Sequence, residues 1–378
     1  MNKKIAVIGG GIAGLTFAIT MKDKGYTCVV FEKAPEFKEI GAAISVFPNA
    51  LRVFEDLGFV DEILNNSGHA TTGHMKIPKG KSLVVRQLNY EYPIVCIHRG
   101  ELLQILLSKT DGIEKHTDHE LAGIEKMEDG KLNVRFVNGK EYIFDAVVGA
   151  DGLHSKTREY VINDGKPIFR GYNIWRGIAE SDFSVGFASE TQGRGQRVGI
   201  VPIKEGVYGW WATANEAFMQ DDEPEGSKAK LQRLFGDWHD PIPELMQKSE
   251  VILKNSLMDR PPTKGWNKDN VVLVGDAAHP TTPNLGQGGC TAIEGAYLLA
   301  RSIQKQGLTK SAYDQYEAIH FPRVKDVNLV SLKFGEVGQY SNPIAVSLRN
   351  MMYRIIPSKF TMRLMDKYFS YDVRKVLK

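Results

Sequence analysis

The first 32 residues constrain the fold most. Residues 4–8 form the apolar run KIAVI, a helical pattern extends from Ile12 to about Lys24, and a second apolar run, TCVVFE, ends at Glu32. A strand–helix–strand unit of this length has a parallel connection, and parallel strands lie in a sheet that is covered on both faces. The sequence therefore predicts an α/β protein, with Gly25 as the stop of the first helix.

The glycines between the first strand and the helix have the spacing of a dinucleotide cradle, Gly9-x-Gly11-x-x-Gly14. Gly9 permits a tight turn, Gly11 lets a pyrophosphate approach the backbone, and Gly14 lets the helix pack closely on the sheet. The helix N-terminus offers free amide groups to a phosphate. Glu32 is placed to accept hydrogen bonds from a ribose. The glycines of residues 193–199 have a different spacing, so the sequence predicts one cradle.

A second glycine-rich loop follows an apolar run within residues 271–289, VVLVGDAAHPTTPNLGQGG. Asp276 lies where the predicted strand ends, which is the edge at which open α/β sheets bind ligands. Pro283 stiffens the loop. The next helix opens with exposed amides that can stabilise negative charge. Its opening glycines are Gly286, Gly288 and Gly289.

A third segment, DAVVGADGLHSKTR at residues 145–158, also leaves an apolar run. An acid, a glycine and a base follow the predicted strand, which indicates a further contact of Asp151 and Arg158 near a pyrophosphate. His279 in the second loop has two interpretations, a general base or a loop histidine close to the cofactor.

Two kinds of sequence alternate along the chain. Strands and helices of α/β type are predicted at 1–68, 99–165 and 265–320, and helices at 321–378. Short alternating runs with turn signals predict antiparallel strands at 69–98 and 166–264.

Composition excludes several functional classes. The chain of 378 residues carries 48 basic and 45 acidic residues, a balance that argues against a nucleic-acid partner. Its three cysteines, Cys28, Cys96 and Cys290, lack metal-ligand spacing and fit a reducing compartment. No apolar run reaches the roughly 18–20 residues that span a bilayer. We therefore expect a cytoplasmic protein without a metal site or an integral membrane segment.

The three motifs in this order resemble group A FAD-dependent monooxygenases, the para-hydroxybenzoate hydroxylase type. The family marks are GxGxxG, ADG at 150–152 and GDAAH at 275–279. RGELLQILL at 99–107 and GQRVGIVPI at 195–203 are most similar to bacterial FAD-dependent urate hydroxylases. Similar stretches occur in salicylate and hydroxynicotinate hydroxylases, zeaxanthin epoxidases and tetracycline-inactivating monooxygenases. The resemblance implies a Rossmann-like FAD-binding domain in the α/β segments, interleaved with an antiparallel-sheet substrate domain and followed by C-terminal helices.

The resemblance also implies residue roles. It implies FAD contacts at Gly11, Ala13, Gly14, Glu32, Lys33, Ser45, Arg99 and Asp276. It places a loop against the flavin ring, formed by Gly286, Gln287, Gly288, Gly289 and Cys290. Arg197 matches the arginine that urate-type enzymes use on the substrate. Those enzymes tend to place asparagine around YxxWxG, where this chain has Ile174 and Arg176, so the similarity does not extend to urate itself.

The chemistry implied is flavin monooxygenation. NADPH or NADH reduces FAD transiently, O2 gives a flavin C4a-hydroperoxide, and this species hydroxylates a small electron-rich aromatic, heteroaromatic or enolic substrate. The catalytic candidates are Arg197, Pro283 and Gly286. The substrate-binding candidates are Arg176, Arg197, Tyr208, Trp210 and Pro283. Two arginines indicate an anionic or enolate-like substrate, and only one of the adjacent Trp210 and Trp211 can face the pocket.

Two other functions remain open from the residues alone. One is an FAD-dependent dehydrogenase or reductase without oxygen transfer, and the other is a flavin-containing ligand-binding protein. The sequence is compatible with a monomer or a homodimer. The basic and apolar segment 341–378 is either a helical region packed on the domain or a peripheral membrane contact, and we expect the former.

Overall fold

The computed structural model describes residues 2–38, 42–182, 187–222 and 225–377. The strands are β1 (Lys3–Ile8), β2 (Tyr26–Phe31), β3 (Ala43–Val46), β4 (Gly68–Ala70), β5 (Thr72–Lys76), β6 (Ser82–Gln87), β7 (Ile94–His98), β8 (Glu114–His116), β9 (Leu121–Lys126), β10 (Leu132–Phe136), β11 (Glu141–Phe144), β12 (Ala146–Gly149), β13 (Ile168–Glu180), β14 (Ala188–Gln192), β15 (Gln196–Lys204), β16 (Val207–Asn215), β17 (Ile252–Asp259), β18 (Asn267–Lys268) and β19 (Val271–Leu273). The helices are α1 (Ile12–Met21), α2 (Pro48–Asp56), α3 (Val60–Asn65), α4 (Arg99–Ser108), α5 (Lys156–Val161), α6 (Gly226–Phe235), α7 (Ile242–Lys248), α8 (Gly288–Gln306), α9 (Lys310–Gly338), α10 (Pro343–Ile355) and α11 (Ser358–Phe369).

The first layer is a mainly parallel sheet. Among the described residues it has six strands in the order β18-β19-β12-β1-β2-β8. β1 runs parallel to β2 and β12, which confirms the predicted strand–helix–strand unit. α1 ends at Met21 rather than near Lys24, because Lys22 leaves the helical conformation (φ −56°, ψ 133°). Gly25 then takes φ +81°, the left-handed conformation typical of a helix stop.

The second layer is a mainly antiparallel sheet. Its described strands number seven, in the order β17-β13-β16-β15-β14-β5-β6, and only β14 and β5 run parallel. It combines strands from both antiparallel segments of the sequence. A smaller sheet, β3-β7-β4, pairs strands from both sides of the predicted boundaries near residues 68 and 98.

The two faces of the second sheet have different neighbours. On one face, Trp175 and Trp210 are buried in a core with α6 and α7. The other face, which we call the cleft face, is turned toward β3 of the smaller sheet, since a Cβ added at Gly209 would lie 2.4 Å from the Ala43 Cβ. Because side chains alternate along a strand, each residue of β13, β15 and β16 belongs to one face or the other.

The C-terminal helices complete the fold. α9 has 29 residues and contains Pro322. Its end lies directly on the cleft face, because a Cβ added at Gly338 would be 2.7 Å from Arg197 Cδ. In the described ranges, no helix has the length and apolarity needed to cross a membrane.

Candidate active site

The three glycines of the cradle differ in what surrounds them. Gly9 takes φ +108°, and a Cβ added at Gly14 would lie 2.0 Å from the Gly9 carbonyl oxygen, so strand and helix meet in backbone contact. At Gly11, no atom of the described residues lies within 4 Å of an added Cβ beyond the chain neighbours, which leaves room for a ligand. α1 has no side-chain cap and no acid in its first turn, so its amides are available to a phosphate.

Glu32 lies against this cradle. Its carboxylate accepts hydrogen bonds from the backbone amides of Gly10 (2.9 Å) and Ala34 (3.0 Å). Each carboxylate oxygen can accept further bonds, as a ribose contact requires. The structure therefore brings Glu32 to the position that the motif predicts, and the neighbouring Lys33 side chain is exposed.

Asp276 lies in a cleft that adjoins the cradle. Gly275 takes φ +58°, and a Cβ added there would lie 2.9 Å from the Ala13 Cβ. The Asp276 side chain is open to solvent, yet the surrounding protein desolvates it and raises its pKa, while the charge of Arg99 acts in the opposite direction. Asp276 is therefore an accessible carboxylate in largely desolvating surroundings. Three predicted contacts from distant parts of the sequence, Ala13, Arg99 and Asp276, are therefore neighbours.

The turn before α8 forms the next part of the cleft wall. Gly286 closes the 3-10 turn Pro283–Leu285 with φ +69°. A Cβ added there would lie 2.8 Å from the Phe47 ring, so glycine is required both by conformation and by space. α8 has no side-chain cap, which leaves the amides of Gly288 and Gly289 available to a ligand.

A buried polar chain supports this turn from behind. Asn49 Nδ2 donates to Gln287 Oε1 (3.0 Å) and to Glu294 Oε1 (2.6 Å). Arg323 binds the fully buried Glu294 through two hydrogen bonds of 2.6 and 2.7 Å. Gln287 Nε2 is buried and has no partner in the described part of the chain, so one donor remains for a ligand carbonyl.

Cys290 and Ser45 pack where β3 meets α8. The amide of Phe47 donates to Cys290 Sγ (3.5 Å), and burial raises the pKa of this thiol to about 12. The Ser45 hydroxyl contacts the Cys96 sulfur at 3.3 Å. The Cys290 side chain is thus a protonated packing group, and its contribution to a flavin site is through the backbone at the start of α8.

The Asp151 carboxylate has protein partners on both oxygens, and its contact with a cofactor remains a prediction. Its Oδ1 accepts from the Ser155 hydroxyl (2.5 Å), and its Oδ2 accepts from the amide and hydroxyl of Thr157 (3.0 and 3.1 Å). Arg158 is buried and donates to the carbonyls of residues 277–278. The ADG segment therefore caps α5 and braces the second glycine-rich loop, because both charged groups have protein partners.

His279 is a packing residue. Its ring lies among those of Trp266 and His320, at centroid distances of 5.5 and 5.0 Å. Burial lowers its pKa to about 3. A base with so low a pKa is a poor match for proton abstraction near neutral pH, so the loop-histidine interpretation is favoured.

Arg176 lies on the cleft face between a contact with the 283–285 turn and a contact with β3. It pairs with Trp211 on β16, and Trp211 pairs with Gly199 on β15. In the row on one side, Arg197 donates to Asn284. In the row on the other side, Gly209 lies against Ala43 of β3. The row of Arg176 and Trp211 therefore faces the space between the turn and β3.

Arg197 lies in the row that contacts the turn. It is buried, its Nε donates to Gln339 Oε1 (2.9 Å), and its Nη2 donates to Asn284 Oδ1 (2.7 Å). Glu190 Oε1 lies 3.5 Å from Nη1. The guanidinium also lies over two aromatic rings, those of Tyr172 and Trp211. These contacts identify Arg197 as a positioning residue that holds the 283–285 turn, which carries Pro283 at its exposed start.

Tyr208 and Trp210 are on the other face of the sheet, which corrects their prediction as substrate-binding residues. Trp210 Nε1 donates to Ser249 Oγ at 2.8 Å, and both predicted residues are buried in the core with α6 and α7. Trp211 is the tryptophan on the cleft face. The alternation of a strand predicts that one of two neighbours faces inward, but it does not say which.

Three residues of the cleft were not predicted from the sequence. They are Tyr172, Asn284 and Gln339, which join Arg197 in one hydrogen-bonded network. Asn284 lies within the second glycine-rich loop, and its position between Pro283 and the glycines could have identified it. Gln339 is 142 residues from Arg197 and no local pattern connects them.

Several of these features fit FAD. The open backbone at Gly11 and the uncapped α1 suit a pyrophosphate, and Glu32 suits a ribose. The Asp276 carboxylate suits ribityl hydroxyls. The start of α8 and the unpartnered Gln287 Nε2 offer donors to the polar edge of a flavin.

Comparisons with known proteins agree with this geometry. The chain is 36% identical over 364 residues to aurachin C monooxygenase/isomerase of Stigmatella aurantiaca, covering 94% of each protein. It is 29% identical over 371 residues to the FAD-dependent urate hydroxylase of Mycolicibacterium vanbaalenii, covering 91% of each. The structure of HpxO from Klebsiella pneumoniae, solved with FAD and uric acid, superposes with a TM-score of 0.88 at 26% identity and 97% coverage of both chains. Residues 2–328 match the FAD binding domain family, and the chain therefore belongs to this family of FAD-binding proteins.

Proposed function

We propose that this FAD-dependent monooxygenase hydroxylates a small planar substrate, aromatic, heteroaromatic or enolic, that carries an anionic group. The observation that carries the proposal is the pair of Arg176 and Trp211 on the cleft face, in the row that faces the space between the 283–285 turn and β3. An indole ring can stack on a planar ring, and a guanidinium binds a carboxylate or enolate through paired hydrogen bonds.

Relatives named as monooxygenases and hydroxylases support oxygen transfer over the two alternatives, a dehydrogenase and a ligand-binding flavoprotein. Ile174 and Arg176 stand where urate-type enzymes tend to have asparagine. We therefore favour an anionic aromatic or heteroaromatic compound other than urate as the substrate.

The residues of the chain have distinct tasks in this reaction. Bound FAD, reduced by NADPH or NADH, supplies the oxygen-activating chemistry. The amides at the start of α8 and Gln287 Nε2 stabilise negative charge on the reduced ring. Arg197 fixes the turn beside the substrate space through Asn284. Arg176 and Trp211 orient the substrate, and the sheet and α9 exclude water from the cleft.

The test is aerobic oxidation of NADH and NADPH by the purified yellow protein. The panel contains salicylate, 3-amino-4-hydroxybenzoate, hydroxynicotinate, urate and a tetracycline, with oxygen uptake and product mass measured together. We expect an anionic aromatic compound to accelerate oxidation and to gain one oxygen atom. Coenzyme oxidation that yields an unchanged or dehydrogenated product with every compound would refute the proposal.

Arg176→Met tests the assignment of the substrate anchor. Loss of a hydrogen bond between charged groups should raise KM by roughly tenfold or more, while bound FAD stays unchanged. Arg233→Met is the matched control, because Arg233 is an exposed arginine on α6, the layer on the other face of the sheet. Equal KM values for Arg176→Met and the control would remove Arg176 from the site.

Three further expectations concern the location, the assembly and the domain organisation of the enzyme. We place the enzyme in the cytoplasm, as a monomer or homodimer, and we keep the division into an FAD-binding domain, a substrate domain and C-terminal helices. The buried cysteines support a reducing compartment, since burial raises the pKa of Cys28 and Cys290 to about 12 and leaves both as inert thiols. Cell fractionation and light scattering of the purified protein test location and assembly.

A further inference from the structure

α10 carries a stripe of exposed apolar side chains. The five residues are spaced as one face of a helix, with exposed fractions between 48% and 70%, and they are Ile344, Leu348, Met351, Met352 and Ile355. Exposed apolar side chains on a monomer are ordinarily scattered singly. A continuous stripe on one helix therefore requires a covering partner.

α11 extends this surface. It follows α10 after Ile356 and Pro357, and Phe360 and Leu364 are 60% and 47% exposed. We call these seven exposed side chains of α10 and α11 the apolar stripe. Residues 343–364 contain no Asp or Glu, and Arg354 and Arg363 are exposed beside the stripe. The surface thus combines apolar groups with positive charge.

The other side of the two helices is fixed to the protein. Arg349 is buried and donates to the carbonyls of Gly338 and Gly193, each at 3.0 Å. On α11, the Thr361 hydroxyl accepts from Arg86 Nε at 3.2 Å. Because these contacts hold the inner sides in place, the apolar stripe is held outward and cannot rotate into the core.

We propose that the apolar stripe docks this enzyme on a lipid bilayer with anionic headgroups. A helix with an apolar side and flanking arginines lies in the plane of a membrane interface, with the apolar groups below the headgroups and the guanidinium groups among the phosphates. The absence of carboxylates from 343–364 favours this occupant over a basic or neutral protein surface. The inference departs from the expectation from the sequence that segment 341–378 only packs on the domain, because the exposed stripe of α10 and α11 is visible only in the structure. It goes beyond the proposed reaction and does not depend on the substrate.

The experiment is flotation of the FAD-loaded enzyme with vesicles of phosphatidylcholine, with and without phosphatidylglycerol. We expect binding to the anionic vesicles that weakens at high salt. Ile344→Ser/Leu348→Ser/Ile355→Ser should abolish flotation. Arg354→Glu/Arg363→Glu should lower the partition coefficient at least about fivefold for each arginine. The matched control is Val137→Ser/Ile143→Ser, which removes two exposed apolar groups from the β10–β11 hairpin and should float like the wild type.

Bound FAD and coenzyme oxidation in solution show that each variant is folded. Failure of the wild type to float with anionic vesicles, or flotation of the stripe variant at the wild-type level, overturns the proposal. Loss of a dimer in light scattering of the stripe variant, without vesicle binding by the wild type, would assign the stripe to a second copy of the chain instead.

Discussion

The FAD cradle and the cleft face of the second sheet meet at one cleft but are specified in different ways. The cradle is formed by local backbone. Gly9, Gly11 and Gly14 are close together in the sequence, and their spacing identifies them. The cleft face depends on the parity of strands and on contacts between distant residues, such as Arg197 with Gln339. A cofactor shared by a family is thus encoded locally, whereas the substrate is recognised by residues that only the tertiary fold brings together.

Glu294→Ala gives the largest expected effect and limits that contrast, because it tests a long-range network behind the turn before α8, which forms another wall of the FAD cleft. Removing the carboxylate leaves Arg323 as an uncompensated buried charge and should lower the free energy of unfolding by about 3–5 kcal/mol. Urea denaturation of the FAD-loaded protein measures this. The control is Glu336→Ala, which removes an exposed glutamate from α9 and should leave the denaturation midpoint unchanged. Equal midpoints for the two variants would show that this long-range network does not stabilise the turn before α8.

Gly14→Ala and Gly11→Ala separate the two tasks of the cradle. The Gly14 methyl would meet the Gly9 carbonyl and should destabilise the fold by about 1–3 kcal/mol. The Gly11 methyl would contact no atom in the part of the chain that the structure describes. Its main effect should therefore be weaker FAD binding in a fluorescence titration with the apoprotein. Gly123→Ala on β9 is the control for both, since its methyl would make only ordinary contact with Arg135. Unchanged FAD affinity in Gly11→Ala would remove the pyrophosphate from this position.

The contrast also explains how far the sequence predicts this protein. The N-terminal strand–helix–strand unit forms as its apolar runs predict, and Gly25 takes the left-handed conformation of a helix stop. Local chemistry determines both. Trp210 was predicted in the pocket in place of Trp211, because alternation permits two equivalent faces until the helices that cover one of them are known. The ADG motif predicts that Asp151 lies near a cofactor, but the motif alone could not show that its carboxylate also binds Thr157.

The histidine of the second loop should make stability depend on pH. His279 has a pKa of about 3 in the folded protein, against an ordinary value of 6.5, because burial opposes its charge. Between these values the unfolded chain binds more protons, so stability falls as pH falls below 6.5, by about 2 kcal/mol at pH 5. The buried His320, whose pKa is also lowered by burial, acts in the same direction. His279→Phe should flatten the pH profile of urea midpoints, whereas the exposed His154→Phe should not. Parallel profiles for wild type and His279→Phe would contradict the assignment.

The two adjacent tryptophans give the smallest expected effects and the sharpest test of the cleft face. Trp210→Phe loses the buried hydrogen bond to Ser249 and should cost about 1 kcal/mol of stability without changing KM. Trp211→Phe keeps an aromatic ring on the cleft face but weakens the stacking on Arg197, so it should change KM for the substrate found in the oxidation screen and leave stability nearly unchanged. Because the two residues are neighbours in the chain, only the strand alternation separates their roles. A Trp210→Phe enzyme with an altered KM and wild-type stability would place the substrate on the other face of the sheet.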